Sequence, residues 1–114
     1  MDLLTPHEVQ NLLLSWSKDL DDALSEYRIR LEAYPEAKRV ARIAMNVALL
    51  GVEGKTVDLR KAKAEQACEE AIFGEDTAEA LRDSAKAAWQ TKLAQLNAGQ
   101  SLSSTVREEM RLAR

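Results

Sequence analysis

The chain has 114 residues, of which 46% are apolar and 31% charged, and its formal net charge is −3. At this length we expect a single domain spanning residues 1–114. The single Cys68 excludes an internal disulfide, and Cys68 with His7 supplies too few ligands for a Cys/His zinc site. Ala, Leu, Glu, Lys and Arg make up 62 of the 114 residues, which is typical of long packed helices. No stretch alternates apolar and polar residues, so the sequence predicts an all-α fold.

The first predicted helical region covers residues 6–50. Thr5 and Glu8 form a capping box around Pro6, which marks a helix start. Apolar residues then recur every three or four positions from Val9 to Tyr34, and again from Val40 to Leu50. Because proline disfavours a helix interior, Pro35 predicts either two helices, 6–34 and 36–50, or one helix bent there. Both alternatives give a kinked N-terminal helix pair.

Two glycines mark the next connection, Gly51 to Lys55, after which Thr56 is a candidate helix cap. The predicted central helices lie within residues 56–98. One runs over residues 57–73 and ends at Gly74, and a capping box at residues 76–79 opens another, which Gly99 ends or bends. Residues 103–105 offer caps for a short last helix over 104–113. The expected architecture is an elongated helical hairpin or bundle of four to five helices.

The expected core of this bundle is thin. Ala contributes 18 residues and the aromatic residues only five, and each buried Ala removes much less apolar area from water than a Leu does. A helix of about 28 residues would span about 42 Å, more than the width of a compact domain of this size. Part of each apolar stripe would stay uncovered, so we expect a homo-oligomer.

The N-terminal residues Met1 to Pro6 lack the basic start and apolar run of a secretory signal. The longest apolar stretch is ten residues, Ile43 to Val52, whereas crossing a bilayer takes about 20. We therefore expect a soluble protein of the cytoplasm that has no membrane partner.

Charge is distributed in blocks. Residues 28–63 carry nine bases and four acids, whereas residues 1–27 and 64–83 are strongly acidic. One interpretation is that neighbouring helices place opposite blocks side by side. The other is a phosphate-facing surface near the 51–54 loop. The candidate nucleic-acid-binding residues in this basic segment are Lys38, Arg39, Arg42, Lys55, Arg60, Lys61 and Lys63.

Catalytic patterns are weak. Gly54-Lys55-Thr56 looks like the end of a phosphate-binding loop, but Leu49 stands where that motif requires glycine, and no strand is predicted before it. Cys68 and the two tryptophans, Trp16 and Trp89, fall at positions typical of core residues. One histidine in a first helical turn cannot complete a nucleophilic triad. The sequence predicts no enzyme, cofactor, metal site or small-molecule substrate.

The second half of the chain resembles a known group of proteins. The residues that carry the resemblance are 54–65 (GKTVDLRKAKAE), Ala80, 84–89 (SAKAAW), Leu93, 96–102 (LNAGQSL) and 107–110 (REEM). They are similar to a family of small, Ala-rich helical phage proteins from Gram-positive hosts, encoded among recombination and replication genes. More distantly, the order of elements resembles the UvsY recombination mediators of T-even phages.

This resemblance implies an oligomeric helper, acting in the bacterial host cytoplasm, that binds single-stranded DNA and a recombinase. It would ease loading of the recombinase onto DNA coated by single-strand-binding protein. The resemblance assigns backbone-neutralising contacts to Lys55, Arg60, Lys61 and Lys63, while charge clustering alone adds Lys38, Arg39 and Arg42. The implied assembly surface consists of Leu93, Leu96, Leu102, Val106 and Met110.

Two other functions fit the same sequence. A phage inhibitor of a host nuclease or defence complex could act through acidic blocks that mimic nucleic acid, at residues 19–22 and 69–76. A structural coiled-coil adaptor would use only the apolar stripes.

Overall fold

The computed structural model describes residues 4–113, and helix accounts for 92% of it. The all-α prediction is confirmed. The described residues form three helices, α1 (Pro6–Gly51), α2 (Val57–Ala67) and α3 (Glu69–Leu112), so the prediction of four to five helices is wrong. Residues 1–3 and 114 lie outside the described residues. They belong to the predicted domain over residues 1–114, and residues 1–3 also belong to the N-terminal segment in which no secretory signal is predicted.

Helix α1 begins as the capping box predicts. The backbone N–H of Thr5 donates to Glu8 Oε2 at 2.9 Å, and the N–H of Glu8 donates to Thr5 Oγ1 at 3.2 Å. Pro35 lies inside α1, so the alternative of two helices, 6–34 and 36–50, is wrong. Pro35 and Leu31 are both exposed, so water can satisfy the Leu31 carbonyl that proline leaves without a donor.

Helices α2 and α3 meet at Cys68, not at the predicted end at Gly74. The Cys68 backbone has φ −107° and ψ 16°, and its N–H is shared between the carbonyls of Ala64 and Glu65. The Cys68 carbonyl accepts from the N–H of Ile72 at 3.0 Å, so helical bonding resumes at once. The predicted helix over 57–73 is therefore divided after Ala67.

Helix α3 continues without interruption through every position after Cys68 at which the sequence predicts a helix end. Gly74, the capping box at 76–79 and Gly99 all lie inside it, so the division into central helices 56–98 and a last helix 104–113 is wrong. No glycine of the described residues has a positive φ, which removes the reason for a glycine stop. Thr105 Oγ1 donates to the Ser101 carbonyl at 3.1 Å, as a hydroxyl does within a helix and not at its cap.

The chain divides into two compact units. One comprises the segment up to Tyr27 with the segment from Ala85 onward, and the other is Arg28–Ser84. The single domain expected over residues 1–114 stays a prediction.

In the first unit, α1 and α3 pack antiparallel. Tyr27 stacks on Trp89 with ring centroids 5.7 Å apart and an interplanar angle of 26°. Gly99 is buried where α3 meets α1, and a Cβ built on it would lie 2.9 Å from Leu13 Cδ2 and closer still to the Trp16 ring. Both tryptophans, interpreted as core residues from the sequence, lie where the two helices pack, but each is half-buried and neither belongs to the buried core.

In the second unit, the end of α1 returns through residues 52–56 into α2. Ala41, Ala64 and Cys68 are buried there, and Arg82 lies over the Tyr34 ring at 4.4 Å from its centroid. Small side chains allow close approach of the helices but remove little apolar area from water. Across the described residues no large side chain is fully buried, and seventeen large apolar residues are exposed.

We predict opposite effects for two Gly→Ala substitutions in α3. Gly99→Ala should lower the free energy of unfolding by about 1–3 kcal/mol, because the added methyl group must displace the Trp16 ring. Gly74→Ala meets nothing within 4 Å and should raise it by up to about 1 kcal/mol through helix propensity alone. Urea unfolding followed by circular dichroism measures both. An equal gain in the two variants would show that Gly99 is not a close-packing site.

Candidate nucleic-acid interface

The connection between α1 and α2 is held rigidly at its α2 end. Thr56 has an extended backbone and caps α2, with its Oγ1 accepting from the N–H of Leu59 at 3.1 Å. A Cβ built on Gly54 would lie 3.0 Å from Arg60 Cγ and 3.3 Å from the Arg60 nitrogen. The chain thus passes directly against the first turn of α2, where only glycine fits without displacement. The prediction that Thr56 caps the next helix is confirmed.

A hydrogen bond from one of the candidate bases also holds the connection. Lys63 Nζ donates to the carbonyl oxygen of Glu53 at 2.7 Å, which joins α2 to the start of the connection. An ammonium group has three donors, so this bond leaves donors and charge available at the surface. Lys55, Arg60 and Lys63 therefore surround one turn of backbone that is fixed from both sides. We name residues 53–63 the basic turn.

All seven candidate bases are exposed, and all belong to the second unit. Lys61 follows Arg60 on α2. Lys38, Arg39 and Arg42 share one side of α1, because their positions span about 100° of the helix circumference. Arg42 lies nine residues before α1 ends at Gly51.

Arg39 differs from Lys63, which bonds a backbone carbonyl, because it forms an ion pair with a carboxylate. Its Nε and Nη2 donate to the two carboxylate oxygens of Glu36, at 3.0 and 2.6 Å. This hydrogen bonding, with the charge of Arg39, lowers the pKa of Glu36 below its ordinary value. Exposed pairs of this kind contribute little to stability, so a phosphate could replace the Glu36 carboxylate.

The predicted assembly residues, which all lie on α3, do not share one face. Leu102, Val106 and Met110 follow at intervals of four and form one stripe. Leu93 lies about half of the helix circumference away from Leu102, and Leu96 lies between Leu93 and Met110. Val106 lines an open cleft of about 540 Å³ with Pro6, Val9 and Leu13 of α1. Leu102 and Met110 are exposed, and the other three residues are half-buried.

Two surfaces were missed by the sequence interpretation. The stripe Val40, Ile43, Val47 and Leu50 is exposed, although it resembled a packing face. The sequence feature that could have shown this is a second stripe on the same helix, which faces inward and consists of Ala37, Ala41, Ala44 and Ala48. The other surface is a shallow groove around Phe73, whose side chain is 71% exposed between Glu65, Glu69 and Asp76.

The possible catalytic groups are placed as the sequence predicts. His7 is exposed, with its Nε2 3.2 Å from Asn11 Nδ2, and Cys68 is buried. Within residues 4–113 no three His, Cys, Asp or Glu side chains are grouped so that they could hold a metal ion. In the same span, no helix combines the length and apolar character needed to cross a bilayer.

We predict that Thr56→Ala loosens the basic turn. Loss of the cap should lower the free energy of unfolding by about 1 kcal/mol and speed amide exchange at Leu59. Ser103→Ala, inside α3, is the control and should leave the Leu59 amide unchanged. Unaltered exchange at Leu59 in Thr56→Ala would contradict the capping role.

Comparison with known proteins gives no match to a family model, to a curated protein or to a solved structure. Function must therefore be inferred from the residues and surfaces of the chain itself.

Proposed function

We propose that this chain is a non-enzymatic, self-associating helical protein that binds single-stranded DNA through the basic residues around the α1–α2 connection. The observation that carries the proposal is the exposed group Lys55, Arg60, Lys61 and Lys63 on a turn fixed by the Thr56 cap and the Lys63–Glu53 bond. Because the backbone that carries these cations is already held in place, phosphate binding has to order only their side chains.

The contacts expected here are with the DNA backbone. Four bases and two acids lie within residues 53–63, so the turn is locally positive although the chain carries −3. Such a site attracts phosphates but has no arrangement that reads base edges. Repeating it in an assembly would strengthen the local field, which is why self-association belongs to the proposal.

Self-association is supported by the thin core. The buried apolar set of the described residues is limited to small side chains and one valine, Val9, while large apolar residues remain at the surface. Exposed apolar side chains that lie together on one helix face mark interaction sites in folded proteins. On α3, Leu102 and Met110 are exposed and flank the half-buried Val106.

The biological role that we propose follows the sequence resemblance. The residues 54–65, which resemble small Ala-rich phage proteins encoded among recombination and replication genes, include nearly the whole basic turn. A phage protein of this kind, acting in the host cytoplasm, would hold single-stranded DNA while a recombinase or single-strand-binding protein engages another face of the assembly. No cofactor, metal or small-molecule substrate is part of the proposal.

We predict that Arg60→Gln/Lys61→Gln weakens binding to a fluorescent single-stranded oligonucleotide. Losing two phosphate contacts should lower the slope of log K against log salt by roughly 1.4. Lys18→Gln, an exposed residue of α1 in the other unit, is the control and should leave the slope unchanged. Anisotropy between about 50 and 200 mM salt measures it. No binding by the assembled wild-type protein at low salt would refute the DNA role.

A second candidate function is favoured by the Phe73 groove. Its exposed ring and its carboxylates, Glu65, Glu69 and Asp76, suit a basic, apolar helix of a protein such as a host nuclease. In that case Phe73→Ser should reduce binding of an amphipathic Lys/Leu peptide by about tenfold. Leu112→Ser, at a similarly exposed residue, should leave it unchanged. Equal affinity in both variants would exclude this surface.

A further inference from the structure

The second half of α1 has two apolar faces, and the larger side chains are on the outer one. Ala41 is buried and Ala37, Ala44 and Ala48 are half-buried, so the alanine face packs within the unit.

The outer face lies about 110° around the helix from the alanine face. It carries Val40 and Ile43, both 46% exposed, with Val47 at 63% and Leu50 at 89%. The side chains that would gain most from burial are therefore the ones left in water.

These four residues follow the spacing of a coiled coil. The intervals from Val40 to Leu50 are three, four and three, which places the valines at heptad positions a and Ile43 and Leu50 at d. We name Val40, Ile43, Val47 and Leu50 the outer seam.

We propose that the outer seam is the contact surface for a second copy of this chain, which packs on it as an antiparallel two-stranded coiled coil. The inference rests on the self-association in the proposed function and assigns it to α1, separately from the α3 stripe. Val40 of each copy lies opposite Leu50 of the other, and Ile43 lies opposite Val47.

Charge complementarity selects the second copy and its direction. In this register Arg39, at a g position beside the seam, faces Glu53 of the other copy, which lies just beyond the end of α1. Asn46, at the next g position, faces Asn46 of the other copy. A parallel pair would instead place Glu36, the preceding d position, against Glu36. Two like charges at a seam position oppose association, so the antiparallel arrangement is favoured.

This arrangement leaves the basic side of α1 uncovered. Lys38 and Arg42 lie on the flank of α1 that faces neither the alanines nor the outer seam, because they are about a third of the circumference or more from the middle of the seam. A dimer would therefore present two sets of these bases, one from each copy, beside the two basic turns. The positive surface available to phosphates doubles without change in the net charge per chain.

The first test changes one seam residue to a charged one. Val47→Glu should weaken association by about 100-fold, because a carboxylate would be buried without a partner. Val57→Glu is a matched control at 68% exposure on α2 and should associate like the wild type. Sedimentation equilibrium measures the mass against 12.7 kDa for one chain. Equal masses for the two variants, or a monomeric wild type, would overturn the proposal.

The second test addresses direction and does not depend on how well Val47→Glu folds. Arg39→Glu and Glu53→Arg should each weaken the dimer about tenfold, and the double exchange should restore it. Asn46→Cys in a Cys68→Ser background should form an interchain disulfide, since Asn46 faces Asn46 of the other copy, whereas Lys38→Cys in the same background should not. Failure of the exchange to restore association, with equal cross-linking at both positions, would exclude the antiparallel seam.

These outcomes separate the seam from the proposed function. If Leu102→Glu dissociates the assembly and Val47→Glu does not, self-association stands and the seam is wrong. If the seam variants dissociate the protein but the wild-type assembly binds no oligonucleotide, the seam stands and the DNA role is wrong.

Discussion

Close contact between alanine-lined helices is the interaction on which the rest of this structure depends. Ala41, Ala64 and Ala85 are buried where helices meet, and Gly99 lets α3 approach the Trp16 ring. Such contacts bring backbones together but bury little area per residue. The larger apolar side chains are consequently displaced to outer faces, where another chain can cover them.

This constraint links assembly to charge. Helices whose larger apolar and charged side chains are exposed present both kinds of surface to a partner. In the second unit the basic residues occupy the end of α1 and the start of α2, and the acids of residues 64–83 follow. The ion pairs Arg39–Glu36, Arg82–Glu79 and Arg111–Glu108 each join residues three apart on one helix, as expected for solvated helical faces.

Helix content and two of the caps could be predicted from the sequence because they depend on local chemistry. The capping box at Thr5 and Glu8 and the Thr56 cap need only neighbouring residues. Breaks inside helices could not be predicted, because tertiary contacts override local preference. Gly99 lies inside α3 where the helix packs closely against Trp16, and Cys68 interrupts the helix although its modest helix propensity does not predict a break.

In the candidate site, too, local features could be predicted from the sequence and tertiary contacts could not. Exposure of the seven bases follows from their charge, but the Lys63–Glu53 bond depends on how the connection folds back. Which of two apolar stripes on α1 faces inward could not be read from periodicity, since both repeat every three or four residues. The larger side chains of Val40, Ile43 and Leu50 would suggest that their stripe faces inward. The alanine stripe faces inward because small side chains let the helices approach closely.

The dependence of the thermal midpoint on protein concentration tests the central claim most directly. If outer apolar faces are covered only by association, folding and assembly are linked, and the midpoint rises with concentration. We expect the midpoint to increase by about 2–4 °C for each tenfold increase in protein concentration. A midpoint independent of concentration, from a reversibly folding single chain of 12.7 kDa, would contradict it.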